Sequence, residues 1–359
     1  MTAFVLVAGP WTGDWIWRAV AARLREAGCQ AYPAALTGMG GRRDEAGPDT
    51  DLETHIADLV RLIDEVDAER VVIVGHGLGI HPVRGAADRR PDRISRIVHL
   101  DAGIPRDGES VLGLLPDPEV RARLLRRAED GWRIPAPTRE EWPAWGSLAG
   151  VPDEALDQLV RLAVPQPLGT LGQRLRLGGA VASLPTTGVL CTANGGSIAV
   201  VETLVRMGDP QLRALIDPQV TFFELATGHW PMLSVPGELA ATLLRAAAGE
   251  GHRLSPELAA ERPAAARPFL LDVPRRPRER VGRVDLYLPD EPSGADAGPR
   301  PAVVFVHGGP VPVDHLPTPR DSDTFVGYGS YVAAQGAVGV TLDHRLHALG
   351  DYGRAADDV

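Results

Sequence analysis

The chain contains no lysine: all 37 of its basic residues are arginine. That excludes chemistry through a lysine Schiff base, and it removes the lysine that a Gly-rich phosphate loop needs. Only two cysteines, Cys29 and Cys191, are present, far apart in sequence. One follows a helical stretch and the other lies in a strand, so two buried thiols are expected rather than a disulfide framework. No apolar run approaches the length of a membrane span. A basic stripe is also missing, and the net charge of -10 opposes a phosphate backbone, so neither a nucleic-acid partner nor a membrane is expected. The start, Met-Thr-Ala-Phe-Val-Leu-Val, has no basic leader and reads as a strand, which points to a cytoplasmic location. No His/Cys/Asp spacing suggests a metal site, and no cofactor is expected.

What is present is globular: 44% hydrophobic and 23% charged residues over 359 positions, enough for one large α/β domain and a smaller unit. Apolar strands alternate with amphipathic helices: Ala3 to Ala8, Gln30 to Leu36, Val71 to Val74 and Ile94 to Leu100 read as strands, while Trp17 to Ala27 and Leu52 to Val66 read as helices. Such alternation implies a mostly parallel, doubly wound sheet. From Gly103 to about Ser183 the strand pattern stops, and this segment reads as a helical cap over the sheet's C-terminal edge, where ligands bind. The sheet resumes at Thr187 to Thr192 and Val220 to Leu225, followed by Gly228-His229-Trp230 and a closing helix. This sets a first domain at 1–248 and a linker at 249–267. A second unit at 268–359 has strands at Val284 to Leu288, Ala302 to Val306 and Ala337 to Leu342. Three strands and one helix leave a sheet edge to be covered by domain one, a partner chain or self-association, unless the unit is partly disordered.

The most informative motif is Gly75-His-Gly-Leu-Gly79, after the strand Val71 to Val74. A nucleophile elbow, Gly-x-Ser-x-Gly, ends a strand in a strained turn that lifts a serine above the sheet edge. Here Gly77 occupies that position and offers no side-chain atom.

From Phe4 to about Arg245 the chain resembles the α/β-hydrolase superfamily, in its branch of small capped esterases and hydroxynitrile-lyase-like proteins. The resemblance rests on Gly9-Pro-Trp-Thr-Gly-Asp-Trp-Ile-Trp17, Leu36-Thr-Gly-Met-Gly-Gly41, Leu52-Glu-Thr-His-Ile56, the elbow, Leu100-Asp-Ala-Gly-Ile-Pro105 and Thr227-Gly-His-Trp-Pro231. From Val284 onward the chain is similar to the front half of a different branch, the His-Gly-Gly esterases, through His307-Gly-Gly-Pro310 and Leu342-Asp-His-Arg-Leu346. It ends before the second elbow and histidine that such a domain would carry.

The resemblance implies a role for each position. Gly77 is a vacant nucleophile site. His229, after the last strand, stands where the base belongs. One oxyanion donor would be the N–H of Leu78; the other aligns with Pro10, which has none, leaving Trp11 as the alternative. The usual acid position reads Ala193-Asn-Gly-Gly-Ser197 without a carboxylate, and Asn194 could orient an imidazole but not stabilise its cation. Asp101 is either the orienting acid or a cap on the first turn of the cap segment. Glu224 reads as a surface strand residue, His76 as elbow filler and His55 as a helix residue. Trp230 and the tryptophans at 15, 17, 132, 142 and 145 pack the core or line an apolar pocket under the cap.

Two functional readings are left open. In one, the protein is a catalytically silent or incomplete hydrolase relative that binds a small apolar molecule. In the alternative, it is a non-covalent enzyme with His229 as general base, for water-mediated ester hydrolysis or for lyase, cyclase or cofactor-free oxygenase chemistry.

Overall fold

A computed structural model of the chain describes residues 2–114, 118–128, 130–206, 210–259, 273–290, 299–308, 310–311, 318–347 and 351–359. It contains two compact units, Met1–Glu261 and Arg262–Val359.

The first unit is built on six strands: β1 Ala3–Val7, β2 Gln30–Pro33, β3 Val71–His76, β4 Ile94–Leu100, β5 Thr186–Cys191 and β6 Val220–Leu225. Their order is β2-β1-β3-β4-β5-β6, and every neighbouring pair is parallel. The helices explain why the central strands are apolar on both faces. Successive side chains of a strand point to opposite faces, so Phe4 and Leu6 join α1 (Arg18–Glu26) in one core, with Val20 and Leu24. Ala3, Val5 and Val7 join the other core with Leu59 and Ile63 of α2 (Leu52–Glu65) and Val83 of α3 (Ile80–Arg89). Asp51 opens α2 with a capping box: its carboxylate accepts from the N–H of Thr54, and the Thr54 hydroxyl accepts from the N–H of Asp51.

Register decides where the site lies. Gly75 pairs with His99 and His76 with Leu100 across β3 and β4; Leu100 pairs with Val189, and Cys191 with Leu225. The loops after β3, β4, β5 and β6 therefore leave the sheet side by side at its C-terminal edge. Between β4 and β5 the chain forms the cap from short helices, including α4 (Pro118–Arg126) and α5 (Asp153–Leu162), and a two-stranded ladder pairing Arg133–Ile134 with Gln166–Pro167.

The start of the expected linker is not a linker. His252 exchanges two backbone hydrogen bonds with Phe222 on the sheet edge. Leu254 and Leu258 are buried against Phe222, Val205 and Leu215. Two leucines four residues apart suffice to seat one turn, although the surrounding Pro, Ala and Arg show no longer apolar period. The rest of the expected linker, 260–267, lies outside the described residues.

The second unit carries the three expected strands and one more. β7 (Glu279–Val281) precedes β8 (Val284–Tyr287), β9 (Ala302–Phe305) and β10 (Val338–Leu342). The order is β9-β10-β8-β7, with β9 and β10 parallel and the other pairs antiparallel. Within this mixed sheet the wholly buried Asp285 is held by Nε and Nη2 of Arg280, at 2.7 and 2.9 Å. Pairing and neutralisation of this kind are what a buried carboxylate requires. Among the described residues no helix is long and apolar enough to cross a membrane.

Candidate active site

The turn after β3 has the geometry of an elbow. Gly77 adopts φ +50°, in the left-handed region where only glycine is unstrained. A Cβ built there would lie 3.1 Å from His229 Nε2 and 3.3 Å from its Cε1. Outside residue 77, its two chain neighbours and the backbone of its own turn, no other heavy atom among the described residues lies within 4 Å of that point. The imidazole thus faces the place from which a nucleophile would rise, and no other hydroxyl or thiol takes it. Cys191 is no substitute: its side chain is wholly buried, and burial, reinforced by the charge of Asp101, pushes its thiol well above the ordinary range.

His229 is held on every side. Its Nδ1–H donates to Asp101 Oδ2 at 2.5 Å, which fixes the tautomer with the Nε2 lone pair toward Gly77. Its backbone N–H donates to Ser147 O at 2.7 Å, and its carbonyl accepts from His76 Nε2 at 2.8 Å. Burial and the adjacent His229 keep His76 neutral, far below the usual imidazole range. His76 therefore stands beneath His229 as a neutral hydrogen-bond donor to its backbone.

Asp101 holds the imidazole through the hydrogen bond to Nδ1, and no helix begins directly after it. Its φ of +46° is a strained value for a non-glycine residue, a conformation that costs on the order of 1–3 kcal/mol and persists when surroundings over-determine it. Those surroundings are explicit. The Asp101 N–H continues the ladder to Val189 O at 2.8 Å, Oδ1 accepts from Cys191 N–H at 3.2 Å, and Oδ2 accepts from Asn194 Nδ2 at 2.7 Å.

The backbone positions from which an oxyanion hole would be built differ in what they offer. Leu78 sits in the first turn after the elbow, where its N–H has no intrahelical partner and can serve a ligand. Pro10 lines the cavity and has no N–H. The alternative donor is spent: Trp11, at φ +59°, gives its N–H to the buried Gln166 Oε1 at 2.9 Å. The sequence held no signal for this partner, which lies 155 residues away.

Above the pair opens a cavity of about 1020 Å³. Trp11, Leu78, Ile80, Leu124, Trp142 and Trp230 give it apolar walls, and a pair between Arg127 and Glu141, 2.9 Å apart, adds charge to its lining. Trp230 stands edge-on to His229 at 4.9 Å and to Trp142 at 5.6 Å. Of the expected tryptophans, 142 and 145 line this cavity, whereas Trp17 is wholly buried in the core. Cys29 is only half-buried, against expectation, and both cysteines are free. The Glu224 carboxylate accepts from the N–H of Ile198, at the start of helix α6 (Ile198–Arg206), away from the site.

A family model matches the stretch of chain that carries this sheet, the elbow and the Asp101–His229 pair. The model for the alpha/beta hydrolase family covers residues 4–242. The chain belongs to that family. A carbendazim-hydrolyzing esterase from Nocardioides sp. (strain SG-4G) is 32% identical over 249 residues, covering 68% of this chain and 98% of the relative. Among solved structures, a histidine-to-alanine variant of tomato methylketone synthase I with β-ketoheptanoate bound superposes with a TM-score of 0.55 at 20% identity. It covers 69% of this chain and 98% of that one. The same tomato enzyme with 2-tridecanone bound gives a TM-score of 0.54 at 19% identity, with the same coverage.

Proposed function

We propose that the first unit is a non-covalent acid–base enzyme: His229, held by Asp101, moves a proton at Nε2 to or from an apolar carbonyl compound in the cavity. One observation carries this reading. The 2.5 Å pair between His229 and Asp101 is assembled at the cost of a strained backbone, beside an elbow that offers no nucleophile. A site without use for its histidine would have no reason to retain that strain.

The incomplete oxyanion hole narrows the reaction. Acyl transfer builds charge on a tetrahedral oxygen, and one missing donor costs about 100- to 1000-fold. Loss of CO₂ from a β-keto acid asks for less. The C–C bond to the carboxylate breaks, its electron pair moves through the adjacent carbon onto the ketone oxygen, and one proton completes the methyl ketone. His229, protonated from solvent, supplies that proton at Nε2, and Leu78 N–H steadies the enolate oxygen. A general acid–base of this type contributes roughly 100- to 10,000-fold. The β-ketoheptanoate and 2-tridecanone found in the tomato enzyme of this fold have the chemistry of such a substrate and product.

The test is CO₂ release from medium-chain β-keto acids, with the spontaneous rate subtracted. His229→Ala is expected to lose at least 100-fold of the enzymatic rate. Equal rates for both proteins would overturn the proposal. The spent Trp11 N–H favours a second reading, a silent binder of apolar molecules, which predicts saturable binding of a methyl ketone with no turnover of the acid.

A further inference from the structure

We infer that Asn194 is a positioning residue that ties the cap to the acid–base pair, and that its amide is required because the acid stands at Asp101. It is the only asparagine in the chain. Its Oδ1 accepts from the N–H of Ser147, in the cap, at 2.7 Å. That contact fixes which way the amide faces, since a backbone N–H needs an acceptor. Nδ2 is thereby turned inward, 2.7 Å from Asp101 Oδ2 and 3.4 Å from His229 Nδ1. One side chain thus reads the cap with its oxygen and the acid with its nitrogen.

The cap segment it holds is a strap over the histidine. Ser147 O accepts from His229 N–H at 2.7 Å, Ala149 O from Gly228 N–H at 3.0 Å, and Ala149 O also from the Thr227 hydroxyl at 3.2 Å. Gly146 lies so close behind the imidazole that a Cβ there would sit 2.5 Å from His229 Cβ. The strap, Asn194 and Asp101 therefore restrain one imidazole from three directions. Displacement of the cap would release the Asn194 amide, and with it a donor to the acid.

The same geometry explains why a carboxylate is absent from this loop. Aspartate at position 194 would still accept from Ser147, but it would face Asp101 with like charge at hydrogen-bond distance. Two carboxylates so placed share a proton or hold a neighbouring imidazole in its cationic form. The assignment rests on the reading of His229 as the working base, yet its test needs no turnover.

The measurement is the titration of the His229 imidazole by ¹⁵N NMR in the full chain, with hydrogen exchange of the Ser147 amide. The other titratable groups near the imidazole are Asp101 beside it, His76 beneath it and the Cys191 thiol next to Asp101. Asn194→Asp is expected to raise the His229 midpoint by about one to three pH units. Asn194→Ala, which adds no charge, is expected to speed Ser147 exchange tenfold or more. An unmoved midpoint in a folded Asn194→Asp protein overturns the inference. Unchanged Ser147 exchange in Asn194→Ala does so as well, should the aspartate variant not fold. If both effects appear while the unmodified protein turns over no β-keto acid, the functional reading fails and the positioning role stands.

Discussion

Placing a serine at the elbow, Gly77→Ser, probes the site through three separate magnitudes. The first is stability. Gly77 sits at φ +50°, and an L-residue in the left-handed region costs about 1–2 kcal/mol. For a unit of this size that corresponds to a fall of roughly 2–8 °C in melting temperature. The second is geometry. The serine Cβ would lie 3.1 Å from His229 Nε2, so the imidazole must give by a few tenths of an ångström, after which the hydroxyl is within its hydrogen-bond reach. The variant should therefore react with a fluorophosphonate at residue 77. The third is rate. Removing a triad nucleophile costs about a million-fold, and one absent oxyanion donor costs about 100- to 1000-fold. Hydrolysis of a p-nitrophenyl ester should therefore rise by roughly 1000- to 10,000-fold over the unmodified protein, and no further. No labelling of a folded variant would refute the claim that the histidine is aimed at the elbow. A gain near a million-fold would refute the argument from Pro10 and Trp11.

Further outcomes follow from the same contacts. Asp101→Asn keeps a residue that tolerates the left-handed backbone but presents the wrong partner to Nδ1, and should cut β-keto acid turnover by up to about ten-thousand-fold while the fold remains; a loss of less than tenfold would contradict the orienting role. Gln166→Leu leaves the Trp11 N–H buried without an acceptor and should destabilise the protein by about 1–3 kcal/mol in urea unfolding; no change would mean water replaces the amide. Acid should weaken the first unit before its carboxylates titrate. Burial lowers the pKa of His99 to about 3, so the unfolded chain binds a proton there that the folded chain refuses. That contribution is whole above pH 6.5 and is lost as pH falls toward 3, by about 2 kcal/mol at pH 5 relative to pH 8. His55 and His81, also lowered by burial, act in the same direction. Equal urea midpoints at the two pH values would contradict this.

How far the sequence discloses this protein depends on the distance between partners. The central strands are legible because a doubly covered parallel strand must be apolar on both faces, as in Val71 to Val74. The elbow is legible because Gly75, Gly77 and Gly79 are local. His229 stands out through its place after the last strand. Asp101 is visible as a candidate, yet the imidazole it touches belongs to a residue 128 positions away. Gln166, which removes the spare oxyanion donor, belongs to a cap without a strand pattern. Asn194 marks the absence of a carboxylate in its loop, but its tie to Ser147 emerges only once the cap is folded over it. In the second unit, β7 escapes notice because its three residues, Glu-Arg-Val, are all exposed and carry no apolar pattern. Leu254 and Leu258 are too few to produce a period.

The most direct test of the account is the intact mass of the unmodified protein after incubation with excess fluorophosphonate. With glycine at the elbow and, among the described residues, no other hydroxyl or thiol where a side chain of residue 77 would stand, the mass should stay that of the bare chain. A stoichiometric adduct mapped to a residue lining the cavity would contradict it.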